Sequence, residues 1–165
     1  MQKLDGCITS TAVTVDVIQE QIKKNLKLGV TNVSDSPFFR EGKSIALVGG
    51  GPSLKNYMEE LQVFKGPVMA CGSVHDFLVA NSIAIEYCVL CDPDPLITEY
   101  IKAPLHNIKY LVASQCHPET FQHLKSVQSC IWHAGSDVFG DQSIFGENQY
   151  VIGGGCTVGT RAIVL

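Results

Sequence analysis

The stretch Ile45-Ala46-Leu47-Val48-Gly49-Gly50-Gly51-Pro52-Ser53-Leu54 constrains this chain more than any other, because a short apolar run passes directly into glycines and then into a proline suited to the first position of a helix. That order predicts a buried strand, a tight turn and a helix start. Glycines let the main chain approach an anion closely, and a helix start presents unpaired N–H groups carrying about half a positive charge. Gly49, Gly50, Gly51, Pro52, Ser53 and Leu54 are therefore the candidate phosphate-binding residues, with Ser53 offering a hydroxyl or a cap. The plainer alternative is a strand-to-helix turn that holds nothing. No Lys-Ser or Lys-Thr pair follows at Walker spacing, and the third glycine of the dinucleotide fingerprint is missing. P-loop ATP hydrolysis and ordinary NAD binding both lose support.

From Lys43 onward apolar runs alternate with helical or polar stretches. Strands are expected at Ile45–Val48, Pro67–Cys71, Ile85–Cys91, Tyr110–Ala113 and Ser129–Trp132, with helices at Ser53–Phe64, Val74–Asn81 and Glu119–Leu124. Such alternation predicts an α/β, Rossmann-like three-layer domain with a mainly parallel sheet and right-handed crossovers. Before it, Thr11–Leu28 reads as an amphipathic helix with Val13, Val17, Ile18, Ile22 and Leu26 on one face and Gly29 at its end. Residues 1–42 are thus expected to be a helix and loop, and 43–165 the nucleotide-binding domain. The apolar helix face predicts packing on the domain or a homo-oligomer. A helix expected at Thr157–Leu165 has no capping residue after it, which suggests that the domain is truncated at its C-terminus.

Charge and cysteine content narrow the class of partner. A net charge of −4 argues against a broad basic surface for nucleic acid, leaving a small anion held by local dipoles. No apolar run approaches the roughly 20 residues of a membrane span, and the start of the chain lacks the pattern of a secretory signal. The odd count of 7 cysteines, mostly in apolar segments, suits reduced thiols and hence a cytoplasmic protein. Cys88 and Cys91 stand three apart on a strand and face opposite ways, so they read as core thiols. Cys116, His117, His123, Cys130 and His133 match no compact zinc spacing.

Asp92 and Asp94 flank Pro93 at the carboxyl end of a central strand, the edge where ligands collect in open α/β sheets. Two carboxylates with substrate phosphates are a donor set that Mg²⁺ accepts, so both are candidate metal and catalytic residues. Against this, Asp92 would start a turn and Asp94 would cap the helix opened by Pro95. Gly72, Ser73 and His75 follow the second strand, and Ser114 and Gln115 the fourth, which makes them candidate ligand contacts. Gly154, Gly155, Cys156 and Thr157 repeat the logic of the first glycine loop, with close helix packing as the alternative.

The segment Gly49-Gly50-Gly51-Pro52-Ser53-Leu54 resembles the signature of the 6-hydroxymethylpterin diphosphokinase MptE-like family, which includes motility accessory factors, and bacterial sialyltransferases that use CMP-sugars carry a similar loop. Val89-Leu90-Cys91-Asp92-Pro93 resembles the family's strand ending in aspartate-proline, and Gly153-Gly154-Gly155-Cys156-Thr157-Val158-Gly159 its later glycine-rich helix start. This similarity runs from about Lys43 to the chain end. It implies a Rossmann-like fold and a nucleotide such as ATP or a CMP-sugar as substrate, with diphosphate transfer in one branch and glycosyl transfer in another. Two functional classes stay open: a nucleotide-dependent transferase with a candidate Mg²⁺, and a protein that binds or sequesters a nucleotide without turning it over. A structural component reusing the fold is a third.

Overall fold

The computed structural model describes residues 13–35, 44–135, 142–146, 149, 151–153, 157–163 and 165. Six strands form one parallel sheet in chain order: β1 (Ala46–Val48), β2 (Val68–Cys71), β3 (Tyr87–Leu90), β4 (Lys109–Ala113), β5 (Ser129–Ala134) and β6 (Val151–Ile152). Register places Leu47 beside Met69, Ala70 beside Cys88, Val89 beside Leu111, Val112 beside Ile131 and His133 beside Val151. Every residue of β2 and β3 is buried, which is why these strands read as unbroken apolar runs instead of alternating ones. The fold is α/β and Rossmann-like, as the sequence predicts. β6 is not among the strands expected from sequence because two apolar residues are too few to carry a period.

The helices are shorter than their sequence patterns. The expected Ser53–Phe64 helix is a 3-10 helix over Pro52–Tyr57 followed by α2 (Met58–Val63), with Tyr57 at φ −114° and ψ 10° between them. Glu59 and Glu60 in the first turn of α2 favour that restart through the helix dipole. A 3-10 turn over Gly72–Val74 precedes α3 (His75–Ala80), and Gly72 supplies the φ of +60° that turns the chain out of β2. Pro95–Tyr100 is a 3-10 helix, α4 covers Pro118–His123, and α5, which packs on β1, β2 and β3, covers Val158–Ala162.

α1 (Val15–Asn25) continues as a 3-10 turn to Leu28 and ends at Gly29 with φ 67°. Its buried face is Ile18, Gln21, Ile22 and Asn25, while Val17, expected on the apolar face, is 47% exposed. Spacing explains the correction: positions 18, 21, 22 and 25 share one side of the helix, and two of them are polar and so escape the apolar pattern. Ile18 and Ile22 pack with Phe145. The Asn25 side-chain amide donates to the carbonyls of Ser114 (2.9 Å) and Cys116 (2.7 Å), and that of Gln21 to Pro93 (3.3 Å). The helix face therefore lies on the chain's own sheet edge. The segment after it, expected to be a loop, joins the sheet: Ile131 N–H donates to Thr31 O at 2.9 Å, and Asn32 bridges Ile131 in parallel.

Asn25→Ala leaves two buried carbonyls without donors. It should lower the unfolding free energy by about 2–3 kcal/mol in urea titration, whereas Val17→Ala should change it by less than about 0.5 kcal/mol.

Candidate functional site

The carboxyl ends of the parallel strands bring most of the candidate residues to one edge. After β1, Gly49, Gly50 and Gly51 are exposed, and Gly51 sits at φ −67°, a value any residue adopts. A Cβ built on Gly49 or Gly51 would meet nothing within 4 Å, and one on Gly50 only Ser73 Oγ at 3.6 Å. Neither backbone strain nor crowding inside the protein accounts for three glycines here. What they leave is an open main-chain face. The amides of Gly50, Gly51 and Ser53 have no partner among the described residues, while that of Leu54 donates to Gly51 O at 3.1 Å. Leu54 N–H is thus engaged, and Pro52 has none to give. Gly51 holds the N-cap position of this helix, and Ser53 is exposed.

Two further segments adjoin this loop. Ser73 is exposed and faces Gly50, and a Cβ on buried Gly72 would meet the Val158 side chain at 3.6 Å. The start of α5 therefore stands beside the turn after β2. Thr157 is spent locally: its Oγ1 accepts from Thr160 N–H at 3.2 Å, and its own N–H donates to Thr160 Oγ1 at 3.3 Å, a reciprocal cap. Gly154, Gly155 and Cys156 lie outside the described residues.

At β3, Asp92 is exposed and its Oδ1 accepts from the Asp94 amide at 3.0 Å, while Asp94 Oδ1 accepts from the Leu96 amide at 2.9 Å. A turn at Asp92 and a cap at Asp94 are thus the structural work of this pair. At β4, Ser114 and Gln115 are buried; Gln115 Nε2 donates to Cys91 O at 2.7 Å. Ser114 Oγ, Gln115 Oε1, Gln21 Oε1 and Asn25 Oδ1 are buried without partners.

His75 is fully buried and both ring nitrogens are engaged, with Nδ1 2.8 Å from Asp76 Oδ1 and Nε2 3.0 Å from Tyr110 Oη. Tyr110 Oη accepts from Leu105 N–H at 2.9 Å, and Asp76 Oδ2 from Lys102 N–H at 3.1 Å, so the group ties α3 and β4 to the 101–105 segment. Burial pushes the Tyr110 hydroxyl up to about 12. This network carries no sequence signature, since its members come from separate elements.

The histidines and cysteines considered as a zinc set have separate roles. His117 Nδ1 caps α4, His123 Nε2 donates to Ile101 O at 2.6 Å, and Cys116 is buried with its thiol pushed far up by desolvation. Among the described residues no three of His, Cys, Asp and Glu gather as metal ligands. Cys88 and Cys91 are free thiols, and burial pushes Cys91 up to about 12.

A family model described as 6-hydroxymethylpterin diphosphokinase MptE-like matches residues 18–165. The chain belongs to the MptE-like family. The match begins inside α1, so family similarity extends further toward the start than the Lys43 read from the motifs. A solved structure, the MAf glycosyltransferase from Magnetospirillum magneticum AMB-1, superposes with a TM-score of 0.66 at 15% identity, over 94% of this chain and 26% of that one. This MptE-like chain thus spans about a quarter of the length of that protein, and the likeness is one of fold. No curated protein matches it in sequence. Membership in a family named for a diphosphokinase supports a transferase kind. No helix among the described residues is long and apolar enough to cross a membrane.

His133 gives this family member a pH signature. Burial holds its imidazole below the ordinary value of 6.5. In the unfolded chain the ring gains its proton near that value, so stability is full above pH 6.5 and falls as pH drops through the folded-state value. His133→Gln should flatten the acid limb of the unfolding free energy measured between pH 7 and pH 5, relative to the parent.

Proposed function

We propose that this chain is a nucleotide-dependent transferase, moving a diphosphate or glycosyl group, whose ligand phosphate lies on the amides of Gly50, Gly51 and Ser53. The observation that carries this reading is the glycine triplet itself: at Gly49 and Gly51 neither φ nor space demands glycine, and both face the open side of the sheet edge. Side chains there would cover the amides, and glycines leave them bare. Family membership and the activity in the family's name support the diphosphate branch; the fold of the MAf glycosyltransferase supports the glycosyl branch.

Group transfer of this kind asks little covalent chemistry of the protein. Orientation and neutralisation of charge on the transferred group supply most of the acceleration, and preoriented main-chain amides do both. A Mg²⁺ ion would supply further positive charge to neutralise the phosphates. Asp92 is the residue that would hold it, and its exposure at the carboxyl end of β3 supports this. Mg²⁺ accepts a single carboxylate beside phosphates and water, and one oxygen of Asp92 is committed to the turn.

Gly51→Val should fold as the parent does, because its Cβ meets nothing within 4 Å, yet bind inorganic phosphate and nucleotides at least about tenfold more weakly in calorimetry. Equal binding by a folded Gly51→Val protein removes the loop from the site. Asp92→Asn keeps an acceptor for the turn and should weaken Mg²⁺-dependent nucleotide binding severalfold with little change in melting temperature, whereas Asp94→Asn, a good cap, should change neither. If both variants keep the parent's magnesium dependence, the metal has no place in this reading and a metal-free glycosyl transfer or simple nucleotide binding becomes the better account.

A further inference from the structure

Ligands of an open parallel sheet collect outside the carboxyl ends of its strands, so the residues there decide which charges a ligand meets. The stretches that run from each strand into the helix after it are 49–54 after β1, 72–77 after β2, 91–97 after β3 and 114–120 after β4. They contain no lysine and no arginine, although the chain has 12 such residues. They do contain Asp76, Asp92, Asp94 and Glu119. The stretches that follow β5 and β6 in sequence, 135–141 and 153–157, add Asp137 and Asp141 and again no basic residue.

The cations lie elsewhere. Lys65, Lys109 and Lys125 stand at or before the amino ends of β2, β4 and β5. Lys23, Lys24 and Lys27 are exposed on α1, off its buried face. Lys55 is the fourth residue of its 3-10 helix, and Lys102 lies past the end of the one over Pro95–Tyr100. Arg161 gives Nη1 to the carbonyls of Gly135 and Ile152 at the β5 and β6 end of the sheet.

Such an edge discriminates among phosphates by their charge. The bare amides of Gly50, Gly51 and Ser53 offer partial positive charge to one phosphate group. A triphosphate brings several negative charges, and sites that bind one ordinarily set a lysine, an arginine or both beside the metal. Here the next charges along the edge are carboxylates. β3 stands two strand spacings from β1, about 10 Å, which is comparable with the Debye length at physiological salt. Asp92 at its end, and Asp76 after β2, therefore oppose each phosphate added to the first.

We infer that the ligand of this edge is a phosphate diester bearing a single negative charge, as where a nucleoside monophosphate is esterified to a sugar, and not a nucleoside triphosphate. This rests on the reading given under Proposed function and selects its glycosyl branch. A diester asks the loop to hold one charge, which main-chain amides do without a lysine. Mg²⁺ on Asp92 would reduce the repulsion of a polyphosphate but would not replace the missing cations.

The test is calorimetric titration of the full chain with inorganic phosphate and with the 5′-methylphosphate esters and 5′-triphosphates of adenosine, cytidine, guanosine and uridine, with and without Mg²⁺ and at low and high NaCl. For the base that binds best, the diester should bind at least about tenfold more tightly than the triphosphate without Mg²⁺, and should remain the tighter ligand with it. Raising the salt should strengthen metal-free triphosphate binding, because it screens the carboxylates, whereas a phosphate held by lysine or arginine loses affinity. Asp92→Asn, which keeps the acceptor for the turn, should raise the metal-free affinity for the triphosphate severalfold and leave that for the diester unchanged. A triphosphate that binds more tightly than its diester, free or with Mg²⁺, overturns this inference and leaves the loop reading intact, as does a triphosphate affinity that falls with salt. An Asp92→Asn protein with the parent's preference overturns the charge argument on which the inference stands. If inorganic phosphate binds and no nucleoside ester does, the inference fails alone; if nothing binds, the loop reading fails with it.

Discussion

Placing six parallel strands in chain order sets a constraint that the rest of the structure must meet. When each new strand is added on the same side of the last, right-handed crossovers all fall on one face of the sheet. β2 and β3 are nevertheless buried at every position, so the second face needs cover that those crossovers do not provide. The segment after β6 supplies it, since α5 packs on β1, β2 and β3. The return has a chemical consequence. It brings Val158 against the turn that follows β2, and it carries Arg161 to the carbonyls at the ends of β5 and β6. A helix that covers the sheet thus reaches the carboxyl ends of its strands.

The same edge shows how main-chain carbonyls at strand ends are satisfied. Side-chain amides are the donors, with Gln115 serving Cys91, Gln21 serving Pro93, and Asn25 serving Ser114 and Cys116. Each amide spends its N–H₂ on a carbonyl, and its own oxygen is left buried and unpaired at Gln21, Asn25 and Gln115. Against this stands the glycine loop after β1, where the amides of Gly50, Gly51 and Ser53 have no partner among the described residues. One end of the edge is therefore closed by donors from α1, and the other is open and donor-rich. That polarity suits an anion at β1 and β2, while the β3 and β4 end is occupied by protein.

Much of this was legible in the sequence because it depends on local pattern. Five strands follow from apolar runs, Gly29 marks the end of α1, and the turn at Asp92 and the cap at Asp94 follow from Asx chemistry beside proline. The parts that escaped depend on partners far along the chain. Gln21 and Asn25 look like solvent-facing polar residues until their carbonyl partners, 72 to 91 positions away, are known. His75 occupies the sequence position of a ligand contact after a strand, yet its ring is held by Tyr110 in the core. Arg161 stands in a short helix and carries no motif, so only its burial on the carbonyls of Gly135 and Ile152 singles it out.

The docking of α1 shows how such buried polar groups bear on access to the site. Ile18 and Ile22, each about 1% exposed, contribute roughly 1.5–3 kcal/mol apiece by burial. An unpaired buried acceptor costs roughly 1–3 kcal/mol, and Gln21, Asn25 and Gln115 each hold one where the helix meets the sheet. These terms are of similar size and opposite sign, so the three amide-to-carbonyl contacts of α1 decide how firmly it stays. Stability in a folded chain is uneven, and elements with the least net burial open first. Ser114 and Gln115, candidates for ligand contact by their place after β4, are buried at that junction, with Asn25 of α1 bonded to the Ser114 carbonyl. Their availability to any ligand is therefore tied to the position of α1, whereas the amides after β1 are open without any rearrangement.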